Sequence, residues 1–73
     1  MTNETSLVHI NKSPVELFKI LKFEGIASSG AEAKNLIAEG LVSVNGETEI
    51  RKRRQMVAGD TFQIGENCWQ LVD

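Results

Sequence analysis

The chain has no tyrosine, and tryptophan, cysteine, histidine and proline occur once each. These scarcities exclude several kinds of chemistry. A lone Cys68 cannot close an internal disulfide, and no His, Asp or Lys near it in sequence would activate it, so it reads as an inert, partly buried thiol. His9, with no second histidine and no cysteine pair, belongs to no metal-ligand set of usual spacing, and neither metal nor cofactor is expected. Few aromatics argue against a stacking platform for single-stranded nucleic acid. No apolar run approaches the roughly 20 residues of a membrane span, and the polar Met1-Thr2-Asn3-Glu4 start does not resemble a signal peptide. A reducing cytoplasm is therefore the expected compartment. No carboxylate is paired with a histidine or set in a glycine-rich loop of known mechanics, and 73 residues are few for a catalytic cleft. We expect no enzyme.

Apolar residues at 41% and charged residues at 25% suit one small globular domain spanning residues 1–73. The net charge of −2 argues at first against a polyanion-binding protein. Its distribution argues the other way. Arg51-Lys52-Arg53-Arg54 holds all three arginines in four consecutive positions, leaving four lysines against ten acids elsewhere. A concentrated basic patch on an acidic body fits a localised anionic partner. The plainer alternative is a solvated, charged edge that blocks strand association. Against it, lysine is the usual edge blocker, whereas the arginine fork suits phosphate.

The stretch from Ser28 to Gly46 carries the densest structural instruction. Ser29 followed by Glu32 is a capping-box pattern opening a helix over roughly Gly30–Glu39. Ala33, Leu36, Ile37 and Gly40 recur at helical spacing toward a core, and Gly40 stands where a helix needs a left-handed stop. Val42 and Val44 alternate with Ser43, and Asn45-Gly46 is a strong hairpin-turn signal. On the helix, Glu32 and Glu39 flank one side of the apolar stripe and Lys34 the other.

Around this stretch, Thr5 to Ile10 reads as a short edge strand with His9 an ordinary member. Ser13-Pro14-Val15-Glu16 resembles a second capping box, predicting a helix over roughly Pro14–Phe23 with Leu17, Phe18, Ile20 and Leu21 on one side and Lys19 and Lys22 on the other. Gly25 ends it. Glu47-Thr48-Glu49-Ile50 reads as a returning strand, Ala58-Gly59-Asp60 and Gly65-Glu66-Asn67 as turns, and Thr61–Ile64 and Cys68–Val72 as a closing hairpin. There Trp69 could serve as a base-stacking platform, but its place beside Leu71 favours packing on the core. The expected fold is α+β: two short helices on one face of a small, mainly antiparallel sheet.

Ala33-Lys34-Asn35-Leu36-Ile37 followed by Gly40-Leu41-Val42-Ser43-Val44-Asn45-Gly46, and then Ala58-Gly59-Asp60, resembles the RNA-binding module first described in small-subunit ribosomal protein S-four, whose core is the alpha-L motif. The resemblance runs from about Leu17 to Ile64. Phe23-Glu24-Gly25 and the basic run at Arg51 make it most similar to the small stand-alone bacterial YbcJ-like members. It implies an RNA ligand, which the residues alone would not distinguish from DNA. Lys34 matches a nucleic-acid-facing arginine of the family; its plainer reading is a solvated helical lysine.

The resemblance thus implies a non-catalytic protein that binds structured RNA by its backbone and hydroxyls rather than its base edges. Phosphate contacts would come from Arg51, Lys52, Arg53, Arg54 and Lys34, with Arg53 and Arg54 both expected exposed. Backbone N–H groups at Ser28, Ser29 and Gly30 would add a helix-terminus anion site. Gly30 departs from the family, which often has arginine there, and Ala31 stands where many members have serine. The missing charge shifts weight toward the basic run. Implied partners are RNA and, through it, the ribosome or another RNA-binding protein, with no membrane and a monomeric state. Two other classes compete with this one. A ubiquitin-like sulfur carrier needs a flexible Gly-Gly terminus, unlike Gln70-Leu71-Val72-Asp73. A protein-interaction module using the acidic surface remains the alternative.

Overall fold

Ser29 opens the second helix as the sequence predicts. In the computed structural model, which describes residues 5–73, its backbone is extended (φ −154°, ψ 166°) and its Oγ accepts from the Glu32 N–H at 3.1 Å. The Glu32 carboxylate reaches back to the N–H of Ser28, at 2.7 Å, rather than to that of Ser29. The helix stops at Gly40, whose φ of +77° a side chain would resist. There the Gly40 N–H donates to Ile37 O and the Leu41 N–H to Leu36 O, the paired bonds of a Schellman motif. The expectation about Met1–Glu4 lies outside the described residues.

The elements in chain order are β1 (Thr5–His9), β2 (Val15–Glu16), α1 (Leu17–Phe23), α2 (Gly30–Ala38), β3 (Val42–Val44), β4 (Glu47–Thr48), β5 (Gln55–Met56), β6 (Thr61–Ile64) and β7 (Asn67–Val72). One sheet runs β1-β7-β6-β3-β4, and β2 pairs with β5 in a separate two-stranded ribbon. Among the described residues only β1 on β7 is parallel; the other pairings are antiparallel. The fold is α+β, with β1 at a sheet edge as expected. Leu17, Ile20 and Leu21 of α1 and Ala33 and Ile37 of α2 join Val8, Val42, Val44, Phe62 and Leu71 of the sheet in one buried cluster. The same alternation that buries Val42 and Val44 leaves Ser43 between them half-exposed.

Asn45 (φ 52°) and Gly46 (φ 88°) turn β3 into β4 with positive φ at both central residues, as a type I′ hairpin requires. The Asn45 amide also fastens this turn to β6: its Oδ1 accepts from the Thr61 N–H at 3.0 Å and its Nδ2 donates to Asp60 Oδ1 at 3.2 Å. One pair further along the hairpin β6–β7, Phe62 and Trp69 stack with ring centroids 5.0 Å apart and planes 10° from parallel. Trp69 is half-buried against the core, as its place beside Leu71 predicted.

Two expectations fail. The helix predicted from Pro14 begins only at Leu17, and Ser13 caps nothing: Val15 and Glu16 are extended and paired with Met56 and Gln55. Met56 is fully buried, and seating it draws β5 alongside β2. The ladder so formed takes the backbone groups that a local cap would have used, so tertiary pairing outweighs the capping signal. The α1 N-terminus is satisfied from outside instead, the Leu17 N–H donating to Arg54 O at 2.9 Å and the Phe18 N–H to Lys52 O at 3.3 Å. The returning strand is likewise shorter than Glu47–Ile50. It ends at Thr48, and Ile50 is 63% exposed while Glu49 is only 5% exposed, the reverse of their polarity.

The α2 cap gives a direct test. Ser29→Ala should cost about 0.5–2 kcal/mol, read as a lowered thermal midpoint. An unchanged midpoint would show that the Glu32 N–H is equally well satisfied without the hydroxyl.

Candidate nucleic-acid interface

The basic run is a single tight turn, closed by the Arg54 N–H donating to Arg51 O at 3.2 Å. Its shape follows from Glu49. That buried carboxylate must be neutralised and hydrogen-bonded, or its desolvation would be prohibitive. Oε2 accepts from the Arg51 N–H and Nε, both at 2.9 Å, and Oε1 accepts from Arg51 Nη2 at 3.0 Å and Arg54 Nη1 at 2.7 Å. The Arg51 hydrogen bonds hold the Glu49 carboxyl at about 2, against the desolvation that opposes them, with smaller help from Arg54. Glu49 in turn raises the pKa of Arg51.

The run is therefore not uniform. Arg54 is a structural residue, its side chain 29% exposed and tied to Glu49, which corrects the expectation that it stands free. Arg51 is exposed but spends its fork on the same carboxylate. Lys52 is exposed, and its carbonyl serves α1. Arg53 points the other way, 69% exposed, with Nη1 3.3 Å from Glu16 Oε2. Glu16 also accepts from Lys19 Nζ at 3.1 Å, and that bond above all keeps its carboxyl below the ordinary range.

Phe18 joins these pieces. Its half-buried ring has Lys34 Nζ 4.7 Å, Arg53 Cζ 5.6 Å and Lys19 Nζ 6.0 Å from its centroid. The three cations come from α2, the arginine turn and α1, and the ring quadrupole attracts each by about 0.5–1 kcal/mol at an exposed site. Gly30 borders the same ring, for a Cβ there would lie 3.9 Å from Phe18 Cε2. Lys34, Arg53 and Gly30 are thus brought together, with Lys52 tied in through its backbone. Ser28 and Ser29 lie beside Gly30 in sequence, but the Ser28 N–H and the Ser29 hydroxyl are engaged by Glu32, whose charge already occupies this helix terminus.

Sequence reading missed Phe18, Lys19, Glu16 and Glu49. The i, i+3 spacing of Glu16 and Lys19 was a local signal for one pair. Nothing local marked Phe18 as more than a core residue. Among the described residues, no three of His, Cys, Asp or Glu are grouped to hold a metal ion, and no helix is long and apolar enough to cross a membrane.

Glu49 titrates in a defined window. Its folded pKa of about 2 lies below the ordinary 4.5, so its stabilisation is complete above about pH 4.5 and is lost as pH falls toward 2. Glu49→Gln should lower stability by about 1–3 kcal/mol at pH 7. The gap between wild-type and variant melting midpoints should then shrink from pH 4.5 to pH 2. Parallel curves would mean that the clasp does not hold in solution.

Comparison with known proteins identifies the family. The S4 domain family model matches residues 8–72. YbcJ of Escherichia coli (strain K12) is 48% identical over 64 residues, covering 86% of this chain and 91% of that one. A Bacillus subtilis (strain 168) chain named as a probable ribosome maturation protein, RlbA, is 31% identical over 67 residues, covering 90% and 94%. The solution structure of E. coli YbcJ, described as revealing an alpha-L motif involved in RNA-binding, superposes with a TM-score of 0.72 at 42% identity, covering 100% of this chain and 94% of that one. A chain matched almost end to end by that model, with relatives this similar and the same backbone course, belongs to the S4 domain family.

Proposed function

We propose that the chain is a non-catalytic RNA-binding protein that grips the backbone of structured RNA, working in the cytoplasm on ribosomal RNA or its assembly intermediates. The observation that carries this reading is the convergence of Lys34, Arg53 and Lys19, from three separate segments, on the ring of Phe18. Only Glu16 answers them among the pairs of the described residues, so the patch keeps an excess of positive charge on an acidic protein. The names of the relatives support RNA as the anion, and that of RlbA supports a ribosomal context.

Roles within the patch differ. Lys34 and Arg53 are the principal phosphate contacts, Lys52 and Lys19 extend them, and Arg51 adds field from its exposed position. Arg54 contributes by holding the turn. Gly30 keeps the surface beside Phe18 low enough for a phosphate to approach, while Ser28 and Ser29 shape the helix start. Backbone contacts of this kind fix orientation on a folded RNA without reading its bases.

Three or four phosphate contacts should give a log–log salt slope of roughly −2 to −4. Lys34→Ala and Arg53→Ala should each weaken binding to a structured RNA and flatten that slope by about one, with stability lowered by no more than about 1 kcal/mol. Arg54→Ala should instead lower stability by about 1–3 kcal/mol, since it strips a partner from buried Glu49. A salt titration with thermal melts on all three variants separates these outcomes. Wild-type affinity of the Lys34 and Arg53 variants at every salt concentration would remove the patch as the RNA site.

A further inference from the structure

Beside the basic patch, on the other flank of Lys19, lies a cleft of about 430 Å³ between the end of β1, the connection into β2, and α1. We propose that this cleft receives an unstacked nucleobase of the bound RNA, so that the protein prefers RNA with an unpaired nucleotide over an uninterrupted duplex. The proposal rests on the RNA-binding reading above and adds to it a feature of the RNA that phosphate contacts cannot select.

Four properties of the cleft lead there. Its volume falls in the range of small-ligand pockets, roughly 300–1,000 Å³. Pro14, Ile20 and Phe23 supply apolar wall, and Phe23 is 72% exposed, an aromatic ring at the last position of α1 with no core to fill. An unstacked base seeks such a ring, and splayed bases on aromatic side chains are the usual means of reading RNA beyond its shape. The polar lining is mixed in sign, Lys12 and Lys19 facing the same space as Glu16 and Glu24. That balance suits a neutral heterocycle with donors and acceptors on its edge, and disfavours a phosphate.

Continuity with the patch decides between an RNA base and a separate ligand. Lys19 and Glu16 line the cleft and belong also to the Phe18 cluster, Lys19 bonded to Glu16 at 3.1 Å and 6.0 Å from the ring centroid. A strand whose phosphate is held at Lys19 and Arg53 therefore has its base at the mouth of the cleft. Few aromatics are present, yet Phe23 is presented to solvent at this cleft.

The test uses two RNA hairpins of the same stem, one fully paired and one with a single bulged 2-aminopurine, bound to the full chain. Wild type should bind the bulged hairpin about fivefold or more tightly, with a change in 2-aminopurine fluorescence on binding. Phe23→Ala should erase that preference while leaving affinity for the paired hairpin, its salt slope and the melting midpoint near wild type. Phe23→Trp should restore the preference. Lys34→Ala should weaken both hairpins equally. Equal wild-type affinity for the two hairpins would overturn the cleft assignment and leave the phosphate-binding reading standing. So would a preference that survives Phe23→Ala, which would place recognition of the unpaired base outside the cleft. Failure of wild type to bind either hairpin would overturn both readings together.

Discussion

The arginine turn depends on one buried carboxylate. Glu49 follows a strand of two residues, and its N–H still donates to Val42 O at 2.9 Å, so its backbone stays in register with β3. Its side chain is then committed to the interior, and the guanidinium groups of Arg51 and Arg54 with the Arg51 N–H make that tolerable. Four hydrogen bonds to a single carboxylate fix the shape of residues 51–54 more firmly than propensity could. A clasp of this kind does not maximise stability, because a well-packed apolar replacement often does as well. What it provides is a defined geometry for a highly charged loop that would otherwise repel itself.

The same turn completes the rest of the molecule. Its carbonyls at Lys52 and Arg54 accept from the first N–H groups of α1, a helix of seven residues that has no side-chain cap of its own. The turn is thus part of the support for Phe18, and Phe18 is where α1, α2 and the turn bring their cations together. Structure and charge are coupled here: the groups that stabilise the helix start also position the side chains around the ring. An acidic protein can in this way carry a local positive field, since the distribution of charge and not its total governs what a surface attracts.

Two kinds of basic residue emerge from what looked like one run. Arg51 and Arg54 face Glu49, while Arg53 faces Glu16 and Phe18. In a four-residue turn successive side chains splay to different sides, and the three arginines are each captured by the acid on their side, while Lys52 stays exposed. Counting charges along the chain gives the existence of the patch but cannot divide it. Lys34, read from the sequence as a solvated lysine or a phosphate contact, is half-buried with its ammonium over Phe18, a placement that neither alternative described.

By itself the sequence determined whatever closes within a few residues. Ser29 with Glu32, Gly40 at the helix stop, and Asn45-Gly46 at the hairpin each satisfy their own backbone through neighbours along the chain, and all three stand where they were read. Alternation likewise sufficed for β6, β7 and the burial of Val42 and Val44. Only the tertiary structure decided the features whose partners are far apart in sequence. The Ser13-Pro14-Glu16 signal gave way to a ribbon with Gln55–Met56, and register with β3 turned Glu49 rather than Ile50 inward, where distant pairing and the two arginines make its burial tolerable. Phe18 acquired its cations from residues 16 and 35 positions away. Local hydrogen bonds are specified by adjacent residues, whereas burial and ion pairing are specified by which distant segments the core brings together.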